Sequence, residues 1–247
     1  MDYLLIIFVA LFLPIFPLSI VFNLIFTKIK NPGFRSALFL IWPLIGIYFF
    51  QKISIDIDDF FYGAVLFTSM LYGFRMLAMR EVGTWSGFMA TSLWALLWIP
   101  LLDNNANIYF YSLWLSLPLV MMTLLVYKLE TCFGAAFTEI NGGLAQTMPR
   151  LSGIFVIVVL ALIATPIFPS FFVTIDLIFS SSAIVASIIC AIWLIWSWAG
   201  MRLIQGITVG KNKVNDVKDI SITVVWVFSL IMIAAILLSI LLFGQKI

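Results

Sequence analysis

Gly142-Gly-Leu-Ala-Gln-Thr-Met-Pro-Arg150 leads into Leu151-Ser-Gly-Ile-Phe-Val-Ile-Val-Val-Leu-Ala-Leu-Ile-Ala164, which gives way to Thr165-Pro-Ile-Phe-Pro-Ser-Phe-Phe172. A glycine loop, one arginine, an unbroken apolar run and then Pro166 and Pro169 read as a membrane helix that starts at a charged surface and is broken. Each proline withholds a backbone N–H, and hydrocarbon offers no replacement, so neighbouring segments must supply the missing partners. The pattern predicts a helix break near the outer face, of the kind that exposes backbone groups to an ion path.

The rest of the chain has the same character. Of its 247 residues 64% are apolar and 10% charged, with a mean hydropathy of +1.19, too little polar surface to cover a water-soluble core. With no histidine, a Ser-His-Asp triad, a His-ligated zinc or haem and an imidazole switch are all excluded. Cys132 and Cys190 are too few for a disulfide framework or a Cys₄ metal site and are expected to be buried thiols. No metal site, cofactor or catalytic constellation is expected.

A bilayer core about 30 Å thick needs roughly 20 apolar residues per helix. Eight such stretches occur, near 3–26, 36–50, 60–79, 84–102, 108–127, 151–172, 177–204 and 220–243. The first lacks the basic leader of a cleaved signal. Of 13 lysines and arginines, eleven fall on one side of the alternating topology: Lys28, Lys30, Arg35, Arg75, Arg80, Lys128, Arg150, Arg202, Lys211, Lys213 and Lys218. Lys52 and Lys246 fall on the other, with Asp2, Asp56, Asp58, Asp59, Asp103 and Asp176. The positive-inside rule then puts both termini outside a plasma or inner membrane. The fold class is therefore all-α integral membrane, a single domain over 1–247. The loop over 128–150 is expected to include a short interfacial helix, and 205–219 to form a flexible loop that could dock a partner. The net charge of +2 speaks for no nucleic acid, and no basic, aromatic-interleaved soluble segment is present to bind one.

Pro14, Pro17, Pro43 and Pro118 also interrupt spans, read as kinked packing or as gating elements. By depth only Arg75 stands as a charge within a span, and two readings hold for it: snorkelling or pairing with a structural partner, or a role in conduction. Lys128 and Glu130 lie where the fifth span ends and, two residues apart, point to different sides of a helix. Hydroxyls such as Ser187 and the Ser180-Ser181-Ser182 run are expected to bond the preceding turn or a neighbouring helix.

Gly142-Gly-Leu-Ala-Gln-Thr-Met-Pro149, the apolar helix and Thr165-Pro-Ile-Phe-Pro-Ser-Phe171 together resemble the antiporter-like membrane subunits of respiratory complex I. That family is shared with Mrp-type multi-subunit cation/proton antiporters, membrane hydrogenases and inorganic-carbon uptake complexes. Its members carry a "Gly-Gly-Leu … Met-Pro" loop before a helix that ends in a proline break. The stretch Leu71 to Gly87 and the segment Trp198-Ala-Gly-Met-Arg-Leu-Ile204 are similar to further parts of the family pattern, over roughly residues 60 to 243.

The resemblance implies a fold of about fourteen spans with two inverted five-helix repeats, and proton conduction along a row of lysine, histidine and glutamate. This chain would hold the second repeat over 59–243 and two leading helices over 1–58. Where the family turn has its lysine, this sequence reads Glu81-Val-Gly-Thr84 beside Arg80. Lys128 is a candidate for the central lysine because it follows an aromatic residue, although full family spacing lands near Pro118. The charged residue after the break falls near Thr174, with Asp176 the nearest acid. The implied proton-path candidates are thus Arg75, Arg80, Glu81, Lys128, Glu130 and Asp176, a depleted row. The implied role is a non-catalytic accessory subunit of a proton- or ion-coupled complex, forming or bordering a proton path. Its partners would be other membrane subunits and a cytoplasmic redox or zinc-containing subunit. A stand-alone small-solute transporter is the alternative, though no self-similarity between residues 1–120 and 130–247 is evident in the sequence. An enzyme is less favoured, since Asp56, Asp58 and Asp59 beside Lys52 read as a solvated turn.

Overall fold

In hydrocarbon every backbone N–H and C=O must be paired within the protein, and for long apolar runs without β-type alternation the helix is the only local solution. The computed structural model, which describes residues 2–53, 60–103, 105–138, 142–210 and 218–243, is helical accordingly. The helices are α1 (Asp2–Phe12), α2 (Ser19–Lys28), α3 (Pro32–Phe50), α4 (Phe60–Ala78), α5 (Val82–Leu96), α6 (Trp98–Leu102), α7 (Ile108–Phe133), α8 (Leu144–Thr147), α9 (Pro149–Leu162), α10 (Pro169–Ser180), α11 (Ala183–Thr208) and α12 (Ile222–Phe243). Among the described residues, six segments are long and apolar enough to cross a membrane: 32–50, 61–78, 82–102, 108–133, 183–208 and 222–243.

The shorter apolar helices pair across breaks. Along α3, Phe49 meets Phe8, Trp42 meets Phe12 and Phe22, and Phe39 meets Phe26, so α1 and α2 follow one path antiparallel to α3. Pro14 and Pro17 divide that path. The carbonyls freed by the interruption find tryptophans: the Trp42 indole donates to Leu11 O at 3.2 Å and the Trp98 indole to Leu13 O at 2.9 Å. Phe16 N–H donates to Thr68 Oγ1 at 2.9 Å. Pro43 and Pro118, by contrast, sit inside continuous helices.

The core helix is α5, in which every residue but Thr84 is buried. It is wrapped by α2, α4 and α7, with α3 packed along α7 and α11 along α4. α12 is the opposite case, mostly exposed and with the highest mean hydropathy of the candidate spans. α7 stops at Gly134, whose φ of 80° suits glycine and lets its N–H reach Glu130 O. The expected short helix in the 128–150 loop is present as α8. Gly143, also at φ 80°, ties it to the end of α11 by donating to Val209 O. Asp219 accepts the backbone N–H groups of Arg150 and Leu151, so the first turn of α9 is capped from the start of α12. Asp56, Asp58, Asp59, Lys211, Lys213 and Lys246 lie outside the described residues, as does the 211–217 part of the 205–219 loop.

One expectation is corrected here. Cys190 is exposed, because it lies on the outward face of α11 with Ser187 and Leu194, and Cys132 is half-buried. Of the hydroxyls expected to bond a preceding turn, Ser180 and Ser181 both donate to Leu177 O and Ser187 to Ala183 O, with Ser180 ending α10 and Ser181 and Ser182 forming the turn into α11.

Candidate functional site

The second break is where the Thr165–Phe171 segment predicts it in sequence, but not at the depth expected. α9 ends at Leu162 and α10 begins at Pro169, in the first helical turn where a proline's missing N–H costs nothing. α12 begins beside Arg150, whose guanidinium donates to Ile220 O, and ends with Phe243 stacked on Phe172. Residues 149–180 therefore run in one direction as a single interrupted helix. The break falls between pieces of 14 and 12 residues, well inside the bundle rather than near its outer face.

Its geometry is built from side chains that donate to carbonyls of the last turn of α9 and to Ile163 just beyond it. The Trp193 indole donates to Ile163 O at 3.0 Å, Thr165 Oγ1 to Leu160 O at 2.9 Å, and the Ser170 hydroxyl to Ala161 O. Ala164 and Ile167 hold left-handed φ values of 54° and 91°, and for a β-branched residue that is strained backbone. The first break mirrors this one in reverse direction: Leu13 O and Ile163 O both take an indole, and Leu13 and Ile163 both pack on a glycine of the following helix, Gly46 and Gly200.

The charged candidates do not form one row. Arg75 is exposed on α4 and lies over the Phe88 ring at 4.9 Å and the Tyr72 ring at 5.5 Å, which matches a cation that snorkels along aromatic surface. Arg80 is exposed just beyond α4, and its carbonyl accepts from Thr138 N–H. Glu81 precedes α5 and accepts the Thr84 hydroxyl. It also forms an isolated bridge with Phe137 that pins the loop after α7. Lys128 is half-buried on α7 and forms no ion pair among the described residues.

Glu130 has a partner that sequence reasoning treated only as a loop charge. Arg35 is buried at 7% exposure, 3.6 Å from Glu130, with its Nε donating to Ile29 O and its guanidinium over Phe26. A β-carbon on Gly83 would sit 3.3 Å from Glu81 Oε1 and 3.6 Å from Arg35 Nη1, so Glu81 borders the same pair. Among the described residues the buried cation is thus Arg35 and not Arg75. A signal existed: Arg35 sits in the first turns of its helix and Glu130 in the last turn of its own. Each is the wrong sign for its helix dipole, and pairing them across the α3–α7 contact resolves both.

Asp176 also moves. Expected in an outer loop, it lies inside α10, because Pro169 starts a helix that continues through Leu177. It accepts the Tyr111 hydroxyl, which accepts in turn from Asn105 Nδ2 at 3.3 Å. This group stands near the end of the bundle opposite to the Arg35–Glu130 pair. The middle is occupied by hydroxyls and indoles. Ser69 of α4 and Ser92 of α5 bond each other, Trp196 of α11 donates to Ser92 Oγ at 2.7 Å, and Trp94 donates to Ser116 at 3.2 Å. Among the described residues no three His, Cys, Asp or Glu side chains converge as a metal ligand set.

Two helices broken in opposite directions around a wrapped central helix match chains of known structure. A chain of the archaeal membrane-bound sulfane sulfur reductase superposes with a TM-score of 0.82 at 14% identity, over 96% of this protein and 52% of that chain. The fold is that of the antiporter-like membrane subunits. A chain of respiratory complex I from Thermus thermophilus gives 0.78 at 19% identity, over 94% and 52%, and one of the Mrp complex from Dietzia sp. DQ12-45-1b gives 0.75 at 15%, over 85% and 42%. This protein therefore spans about half the length of those chains. An uncharacterized protein of Aquifex aeolicus (strain VF5) is 22% identical over 232 residues, covering 93% of this chain and 97% of that one. No family model matches the sequence.

Proposed function

We propose that this protein is a non-catalytic integral-membrane subunit of a larger proton- or ion-coupled complex, bordering the proton path of a neighbouring subunit. The observation that carries this reading is the separation of its ionisable groups. Arg35, Glu81 and Glu130 stand at one end, Asp176 and Tyr111 at the other, and between them Ser69, Ser92, Trp94 and Trp196 fill the centre. An indole donates but does not accept, so Trp196 and Trp94, which donate into Ser92 and Ser116, end a hydroxyl chain rather than extend it, and none of these groups holds a charge near neutral pH. The half-length antiporter-like fold supports the same role, because the solved chains it matches belong to multi-subunit membrane complexes.

In this reading the single domain lies in a plasma or inner membrane with both termini outside. Counting each broken helix as one span, eight spans cross, and a leading pair over 1–58 joins the antiporter-like half over 59–243. Other membrane subunits are its partners, with a redox or zinc-containing subunit on the cytoplasmic side.

The test has two arms. Purified in mild detergent, the protein should bring membrane subunits with it, and removing it should abolish coupled ion transport in vesicles. Glu81→Gln, Lys128→Gln and Asp176→Asn should leave that transport intact. Loss of transport in these variants, with assembly preserved, would instead make the subunit part of the path. A protein that purifies alone and moves a solute in liposomes would replace the proposal with a stand-alone transporter.

A further inference from the structure

A cavity of about 340 Å³ opens between α4 and α11 at the end of the bundle that carries most of the described cations. Buried Met76 and Leu203 form its inner side, exposed Arg80 and Arg202 its mouth, and Thr138 and Gln205 complete the lining. Two guanidinium groups with a hydroxyl and a primary amide are a donor set for a tetrahedral oxyanion, and arginine is the side chain best shaped to grip one. None of its lining residues belongs to the Arg35–Glu130 or Tyr111–Asp176 groups.

The source of the anion is indicated by what adjoins the mouth. On α11, Leu194, Trp198 and Met201 are 72%, 63% and 46% exposed. At intervals of three and four residues they form one stripe, which arrives at Arg202 and Gln205. From Leu194 to Arg202 the helix rises about 12 Å, so an apolar track runs from hydrocarbon depth to the arginine pair. A free phosphate would have no use for that track, whereas an acyl chain would lie along it.

We infer that this cavity seats the phosphate of an anionic phospholipid, held by Arg80 and Arg202, with an acyl chain lying along Leu194 and Trp198. Basic pockets between membrane helices suit cardiolipin and phosphatidylglycerol in this way.

The full chain, purified in mild detergent and stripped of lipid, is titrated with phosphatidylglycerol, cardiolipin, phosphatidylcholine or inorganic phosphate. Melting temperature and native mass spectra are read together. Either anionic lipid should raise the melting temperature and remain bound, while phosphatidylcholine and phosphate should do neither. Against each variant's own lipid-free baseline, Arg80→Gln/Arg202→Gln should weaken anionic-lipid binding about thirtyfold, and Arg80→Lys/Arg202→Lys should recover most of it. Equal stabilisation by phosphatidylcholine, full lipid retention by the glutamine variant, or an equal effect of inorganic phosphate would each overturn the assignment. Because the readout is lipid retention by the isolated chain, its failure is separate from that of the proposed role in a complex.

Discussion

Gly200 lies so close to Ile163 that a β-carbon on the glycine would stand 2.4 Å from Ile163 Cγ2. The break in the second interrupted helix is therefore clamped from one side by α11, and the Trp193 indole on the same helix holds the Ile163 carbonyl. Gly200→Ala should force the two helices apart and cost about 1–3 kcal/mol, the usual penalty of overpacking a tight core. Gly153 in α9 has nothing within 4 Å of its would-be β-carbon, so Gly153→Ala should be neutral or slightly stabilising. Thermal unfolding of both variants in mild detergent checks the contrast.

Trp193→Phe keeps the ring contact with Phe171 and deletes the donor to Ile163 O. A buried carbonyl left unpaired costs about 1–3 kcal/mol, so the melting temperature should fall, and amide exchange should quicken over residues 163–168. Trp198→Phe on the exposed face of α11 should do neither.

Ile167 combines a φ of 91° with 64% exposure, so its side chain contributes little packing while its backbone carries strain. Backbone strain of this kind costs on the order of 1–3 kcal/mol, and glycine adopts the conformation freely. Ile167→Gly should therefore stabilise the protein by about 1 kcal/mol after glycine's own entropy cost. An unchanged or lower melting temperature would show that the break relaxes by another route.

Arg35 and Glu130 are unequally placed, with side-chain exposures of 8% and 31%. Glu130→Gln leaves the guanidinium its bond to Ile29 O and its contact with Phe26 but strips a buried cation of its counter-charge, and should cost about 1–2 kcal/mol, less than for a fully buried pair because Glu130 is partly exposed. Arg35→Ala removes all three and opens space beside Phe26, so it should cost more than twice as much. A double-mutant cycle on detergent-purified variants separates the pair's own coupling from the lost packing.

The all-helical membrane fold, the sorting of the described cations to one end and the break at Pro166 and Pro169 were legible because hydropathy, charge and proline act over neighbouring residues. The first break carries the same signal, since Pro14-Ile-Phe-Pro17 repeats Pro166-Ile-Phe-Pro169 while Pro43 stands alone and is absorbed inside α3. What a proline does not announce is which groups answer it: the Trp42 and Trp98 indoles that take the carbonyls of Leu11 and Leu13 come from distant helices. Asp176 was misplaced for a related reason: a proline can end one helix or begin the next, and Pro169 begins α10. Arg35 escaped notice because its burial depends on Glu130, a residue from another helix altogether.

The near-complete enclosure of α5 bears on how the protein is made. Ser92 waits for Trp196, and the face of α5 toward α7 waits for residues beyond Ile108, all of which leave the ribosome after α5 itself. During synthesis α5 must enter the bilayer with Ser86, Thr91 and Ser92 unshielded, helped by the bonds that Ser86 and Thr91 make to their own helix and that Ser69 and Asn23 offer from segments already inserted. Chain order thus leaves the innermost helix half-dressed until α11 arrives, and truncations that end before Trp196 should be the ones the membrane's quality control removes.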